Sequence, residues 1–324
     1  MNFWGYRRPD GRVGVRNNVL VLPASVCAAD TCRIVASQVK GTVTFHNQNG
    51  CSQVPCDMQL TMDTIAGFAA NPNIYGTIII SLGCENCQMD LVVKASGLAS
   101  NPLIGQVCDR LVDMGATAVL SETTEFIGAE HILARRGRTP EIRQRIYDIV
   151  HRYEDSLKLV GEDPRDGNPS PGNKAGGLTT LEEKSLGCIH KGGHHPVEEV
   201  YDYAKQMEYG KGLVIMDTPG NDPSSVAGMA AGGCQLVLFS TGRGTPTGNP
   251  IAPVIKLTAN PITYGKMKDN IDVDGSILLE HPEKMDEVAD ALVAEIIDFA
   301  NGKATKSESL GFYELAIARV CNYV

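Results

Sequence analysis

Short apolar runs alternate with segments of helical periodicity along most of the chain. Val19-Leu20-Val21-Leu22, Thr42-Val43-Thr44-Phe45, Thr77-Ile78-Ile79-Ile80 and Ala116 to Leu120 read as strands in the first half. Leu213-Val214-Ile215-Met216, Leu236-Val237-Leu238-Phe239 and Val254-Ile255-Lys256-Leu257 read as strands in the second. Helical spacing runs from Ala28 to Val39, with Cys32, Val35, Ala36 and Val39 on one face. Further helices are expected from Asp57 to Ala70, ended by Asn71-Pro72, and from Pro102 to Met114, closed by Gly115. Others follow over Ala129 to Arg136, Pro140 to Leu159 and Asp222 to Ala231. Glu283 to Ala300 is amphipathic, with Val288, Leu292, Ile296 and Ile297 on its apolar side. Alternating strands and helices predict an α/β fold: two Rossmann-like domains with mainly parallel sheets flanked by helices. Gly161 to Gly177 reads as a loop, with Asp163-Pro164, Gly167-Asn168-Pro169 and Pro171-Gly172-Asn173. It sets an expected boundary between domains 1–160 and 161–324.

Composition narrows the class. The 324 residues, 43% of them hydrophobic, suffice for about two domains of ~150 residues each. A net charge of −9 argues against a general nucleic-acid binder. No apolar run approaches the ~20 residues of a membrane span. The stretch Asn2 to Arg8 lacks the apolar core of a signal peptide. A soluble cytoplasmic protein is expected, with neither a nucleic-acid nor a membrane partner. The ten cysteines are then thiols rather than disulfides. Cys27, Cys32, Cys108, Cys188, Cys234 and Cys321 sit among apolar or small residues and read as core fillers.

The chemistry collects just after the strands. Phe45 is followed by His46-Asn47-Gln48-Asn49-Gly50-Cys51, and Ile80 by Ser81-Leu82-Gly83-Cys84-Glu85-Asn86-Cys87. Leu120 is followed by Ser121-Glu122-Thr123-Thr124-Glu125, Met216 by Asp217-Thr218-Pro219-Gly220, and Phe239 by Ser240-Thr241-Gly242-Arg243-Gly244. Ligands of open parallel sheets bind beyond these carboxyl ends. His46 and Cys51 suit a borderline divalent ion. The Cys84-Glu85-Asn86-Cys87 motif is open to a zinc knuckle, a redox pair or two packed thiols. Glu122, Glu125, Glu130 and His131 can ligate metal or move protons, although Glu130 could simply complement a helix N-terminus. Thr241 to Thr245 does not match a Walker loop, but a backbone nest with Arg243 suits a carboxylate or phosphate. Arg8, Arg12 and Arg16 add cations in a segment that Pro9, Gly11 and Gly14 make a loop. His194-His195 lies in a Gly-rich, solvated loop.

In order, these segments resemble the altronate/galactarate dehydratase family. The resemblance rests on Gly5 to Asn17, the His46 to Cys51 loop, Gly83-Cys84-Glu85, Ser121 to Glu125 and Gly128 to His131. It continues through Pro171 to Ser185, Met216 to Gly220 and Thr241 to Gly244. The family implies a lyase dehydrating a small anionic sugar acid to a 2-keto-3-deoxy acid. It also implies dependence on Fe2+, with Mn2+ or Zn2+ as substitutes. His46, Cys51 and Cys84 are the expected metal ligands, with Glu85 or Glu125 next. His131 is the expected base or acid, oriented by Glu122 or Glu130. Arg16, Asn17, Thr241, Gly242 and Arg243 are expected to hold the substrate's carboxylate. Relatives that cleave sulfolactate make a sulfo-lyase large subunit the first alternative. A non-catalytic scaffold on the same fold is the second, and a redox or structural-zinc protein the third.

Two departures from the family pattern bear on partners and completeness. Family members carry a small SAF-type domain or pair with it as a separate subunit. That small partner is expected here, together with homo-oligomers. Near Lys94-Ala95 the family has a further helix, strand and helix, which this sequence lacks. Either this is a true deletion or the sequence omits a segment. Omission is the expectation, because losing a central strand would leave its neighbours' backbone groups unpaired.

Overall fold

The structure is a computed structural model that describes residues 4–49, 55–80, 102–169, 180–208, 210, 212–242 and 244–319. Cys51, Cys84, Glu85, Arg243 and the Lys94–Ala95 junction lie outside the described residues. The chain forms two compact units. The first comprises Met1–Leu98, Tyr203–Glu208 and Asn221–Val324, and the second Ala99–Asp202 and Tyr209–Gly220. The expected boundary at residue 160 falls inside the second unit.

The first unit holds two three-stranded parallel sheets among its described residues. In one, Asn18–Pro23 lies between Thr42–Val43 and Ile74–Ile80. In the other, Val254–Thr258 lies between Val237–Ser240 and Val273–Asp274. Leu20, Leu22 and Val254 are fully buried, as expected of central strands covered on both faces. Helix Pro55–Ala69 packs on helix Asp222–Gly232 at backbone distance. A Cβ on Gly67 would stand 1.9 Å from the Ala231 carbonyl oxygen, so glycine permits that contact. Helix Ala29–Ser37 is shorter than its pattern suggests, and its expected apolar face is mostly not covered. Cys32 is buried, whereas Val35 and Val39 are exposed, because the helix meets its sheet mainly through Ala29 and Cys32. The helix Met285–Ala300 buries Ala289, Leu292, Val293, Ile296, Phe299 and Ala300, a face turned slightly from the expected one.

The second unit has one parallel sheet, with Gly212–Met216 between Thr117–Leu120 and Val197–Tyr201. Helices Pro102–Asp113, Glu130–Arg136, Pro140–Lys158 and Leu181–His190 cover it. Their apolar faces meet in a core built on Leu120, Phe126, Leu133, Ile146, Ile189 and Ile215. The strand Val197–Tyr201 escapes the hydrophobic pattern for a physical reason. Its register shifts between Val197 and Glu199, so the buried Val197 and Val200 do not alternate. Cys32, Cys108, Cys188 and Cys234 are buried thiols, as expected of core fillers. Among the described residues, no helix is long and apolar enough to cross a membrane.

Candidate active site

Two neighbouring strands of the second unit deliver their loops side by side. Leu120 pairs with Ile215, so Ser121–Glu125 and Asp217–Gly220 leave the sheet together at its carboxyl end. They are stitched by bonds from backbone and side chains. The Glu122 N–H donates to Thr218 Oγ1 at 2.8 Å, the Thr123 N–H to the Thr218 carbonyl at 3.1 Å, and the Gly220 N–H to Thr124 Oγ1 at 2.9 Å. The Thr123 hydroxyl donates to Asp217, whose carboxylate also pairs with Arg152. A Cβ on Gly220 would come within 2.7 Å of Glu125 Oε1, so a side chain there would displace that carboxylate.

Both glutamates of this turn are met by lysines. Lys191 Nζ stands 2.9 Å from Glu122 Oε2, and Lys184 Nζ 2.7 Å from Glu125 Oε2. Asn168 links the second pair: its Oδ1 accepts from Lys184 at 2.7 Å and its Nδ2 donates to Glu125 Oε2 at 3.2 Å. Glu122 adopts left-handed backbone angles, φ 60 and ψ 49, which are strained for a residue with a side chain. Burial opposes the Lys191 charge, but Glu122 beside it raises its pKa well above the ordinary lysine value. Cys188 lies against the same charges, and burial pushes its thiol up to about 12, so it is a neutral thiol. Glu125 also helps burial to raise the Tyr153 hydroxyl pKa.

The other expected residues of this unit are placed differently. Glu130 opens the helix Glu130–Arg136, and its carboxylate accepts the Gly128 N–H at 2.6 Å. It therefore serves a helix start rather than orienting His131. His131 is half-buried and makes no hydrogen bond or ion pair to another described residue. His194, expected as a solvated loop residue, is exposed yet has Nδ1 2.8 Å from Asp109 Oδ2, and His195 Nε2 lies 3.2 Å from Asp113 Oδ1.

In the first unit, His46 is exposed and lines a cleft of about 560 Å³ with Arg33, Thr44, Phe45, Gln48 and Tyr313. Arg16, expected to hold the substrate's carboxylate, is bonded to groups of the protein itself. Nε and Nη2 hold the Glu308 carboxylate at 2.8 and 2.9 Å. Nη1 donates to the carbonyls of Val15 and Phe299, and Nη2 to that of Lys303. All five guanidinium donors are thereby used within the fold. Asn17 is exposed and accepts from Arg8 Nη1 at 2.8 Å, a bond within the same N-terminal clasp. Thr241 Oγ1 accepts the Gly244 N–H at 2.9 Å, and the Gly242 carbonyl accepts from Thr263 Oγ1 at 2.8 Å. No group of three or more His, Cys, Asp or Glu side chains close enough to hold a metal occurs among the described residues. Glu125 Oε2 is already committed to Lys184 and Asn168, which counts against it as a ligand.

Lys184, Lys191 and Asn168 are the site residues that sequence reasoning left out. Asn168 and Lys184 stand in segments that are visible as motifs, but no local signal ties either to Glu125. Lys191 carries no signal beyond its place before two glycines.

Comparison with known proteins places the chain in a group. The profile described as D-galactarate/altronate dehydratase, C-terminal, matches residues 77–322. The profile described as D-galactarate dehydratase/altronate hydrolase, second domain, matches residues 5–123. The (2R)-sulfolactate sulfo-lyase subunit beta of Chromohalobacter salexigens is 32% identical over 379 positions, covering 98% of this chain and 97% of that protein. The altronate dehydratase of Escherichia coli is 32% identical over 382 positions, covering 96% of this chain and 76% of that protein. The altronate dehydratase of Bacillus subtilis is 30% identical, covering 97% and 77%. The first two alignments run over more positions than the 324 residues of this chain, so those relatives carry residues with no counterpart here.

Proposed function

The chain belongs to the D-galactarate/altronate dehydratase family, and from that premise we propose that it is a hydro-lyase dehydrating a sugar acid. The reaction removes the proton beside the carboxylate and the hydroxyl one carbon further, and the enol tautomerises to a 2-keto-3-deoxy acid. The observation that carries this reading is the meeting of Glu122, Glu125, Lys184 and Lys191 at the strand ends of the second unit. Fixed charges of both signs there can hold a polyhydroxylated anion, an ammonium group facing its carboxylate and the carboxylates accepting from its hydroxyls. Lys184 is the more exposed of the two lysines, at 26% against 17%, and is the cation offered to substrate. His131, with no bond to another described residue, keeps its ring nitrogens open for proton transfer.

Ferrous iron, with Mn2+ or Zn2+ as substitutes, is the proposed cofactor. When bound it supplies Lewis-acid stabilisation of the charge that develops on the substrate. With Glu125 committed to Lys184, the candidate donors are His46, Cys51, Cys84 and Glu85. A small SAF-type subunit is the proposed partner, because one relative matched over 97% of its length is named as a subunit beta. The same relative supports the second reading, a C–S lyase acting on sulfolactate.

The test is an anaerobic assay with ferrous iron over altronate, galactarate and (2R)-sulfolactate, with and without the small partner. Formation of a 2-keto-3-deoxy acid is the expected result. Bisulfite release alone would transfer the assignment to the second reading. Inactivity on every substrate would favour a non-catalytic scaffold.

A further inference from the structure

The loop after helix Leu181–His190 is not absorbed by any of the roles above, yet its first residue reaches into the strand-end cluster. Lys191 caps that helix and places its ammonium 2.9 Å from Glu122 Oε2, with both side chains only 17% exposed. Glu122 is fixed on three sides. Its N–H donates to Thr218 Oγ1, its carbonyl accepts the Glu125 N–H at 2.8 Å, and its carboxylate meets Lys191. The residue holds a left-handed backbone conformation, which is strained in a side-chain-bearing residue. A largely buried ion pair adds little net stability, since desolvation cancels most of the attraction. Strain and desolvation thus fall on one carboxylate, at the end of the sheet where ligands bind. Cys188 and Glu125 also act on the Lys191 charge, and Lys184 acts on Cys188.

We propose that Lys191 is a positioning residue, which clamps the Glu122 carboxylate as the acceptor for substrate hydroxyl groups. The inference rests on the sugar-acid reading above and names the group that reads the polyol part of the substrate. Lys191 acts through Glu122 and need not touch the substrate. An ionised carboxylate accepts on both oxygens, and with one oxygen held by Lys191 the other is left in a fixed direction. A loosened carboxylate would lose that direction.

The experiment compares wild type, Lys191→Met, Lys191→Arg and Glu122→Gln on the best sugar-acid substrate, with a thermal unfolding scan of each. Lys191→Met is expected to lower kcat/KM about 100-fold, the scale of a misplaced group. Lys191→Arg should restore most of the activity. Glu122→Gln should be as impaired as Lys191→Met, and the double variant no worse than either, as expected of two residues acting as one unit. Folded Glu122→Gln or Lys191→Met with wild-type kcat/KM would overturn the inference while leaving the sugar-acid reading intact. If Lys191→Met does not fold, the Glu122→Gln kinetics decide alone. Wild-type inactivity on every sugar acid would remove the reading, and this inference with it.

Discussion

Arg16 in the first unit and Lys191 in the second are both cations that face a glutamate in a motif-like segment. Arg16 meets Glu308 with two donors and gives the other three to the carbonyls of Val15, Phe299 and Lys303. Every donor is spent within the fold, and all but the one to Val15 hold the N-terminal clasp to the C-terminal part of the chain. Lys191 meets one carboxylate, on a residue in strained backbone conformation, at a sheet edge suited to ligands. The charge of a residue does not distinguish these cases. What distinguishes them is how many of its donors are consumed by backbone carbonyls, and whether the partner carboxylate has another oxygen to offer.

The contrast can be broken by substitution. The largest effect is expected in the second unit, at Glu125. Glu125→Gln should lower kcat/KM by about 100-fold or more, since it removes the charge held by Lys184 and Asn168. Steady-state kinetics at wild-type KM and kcat would remove this carboxylate from the site. Arg16→Ala in the first unit should instead cost about 3 kcal/mol of stability, because it leaves Glu308 and buried carbonyls without their donors. Denaturant unfolding measures that loss. A raised KM in a protein of wild-type stability would put Arg16 back in a binding role.

Smaller changes sharpen the same comparison. Thr305 and Glu308 form a reciprocal capping box at the helix Lys306–Leu310, and Glu308 is also the partner of Arg16. Thr305→Ala should cost about 1 kcal/mol in the same unfolding assay, with kinetics unaltered. Lys256 offers a buried lysine without a carboxylate at its ammonium: Nζ donates to the carbonyls of Pro246 and Thr247, each at 3.0 Å. Burial lowers its pKa below the ordinary 10.5, only partly offset by Asp272, the reverse of the net effect at Lys191. The unfolded chain therefore binds this proton more tightly, so stability should rise as pH climbs from the folded value toward 10.5. Lys256→Met should flatten that alkaline rise, and a curve still parallel to wild type would show the slope to come from elsewhere.

Much of the fold is legible from local patterns. Val19 to Leu22 and Leu213 to Met216 are apolar without interruption because both their faces are covered, and both form strands as expected. The helix Leu181–His190 is absent from the hydrophobic reading, although Thr180 and Glu183 stand at capping distance in the sequence. The Thr180 side chain indeed accepts the Glu183 N–H at 3.1 Å. The helix Ala29–Ser37 shows the opposite failure, since periodicity marks an apolar face without revealing how much of it a neighbour covers. For the candidate site, residue types after strand ends point to Glu122 and Glu125, but not to the lysines that pair with them.

The sequence by itself determined the parallel α/β alternation, the strand ends that carry polar residues and the family to which the motifs belong. These are local properties, written as hydrophobic period, turn chemistry and contiguous motifs. Only the tertiary structure decided that Glu122 pairs with Lys191, 69 residues away, and that Arg16 is bound to Glu308, 292 residues away. Such pairings leave no period or spacing in the chain. They are set by which segments the packed sheets and helices bring together, and by which acceptors are left once the backbone has satisfied itself.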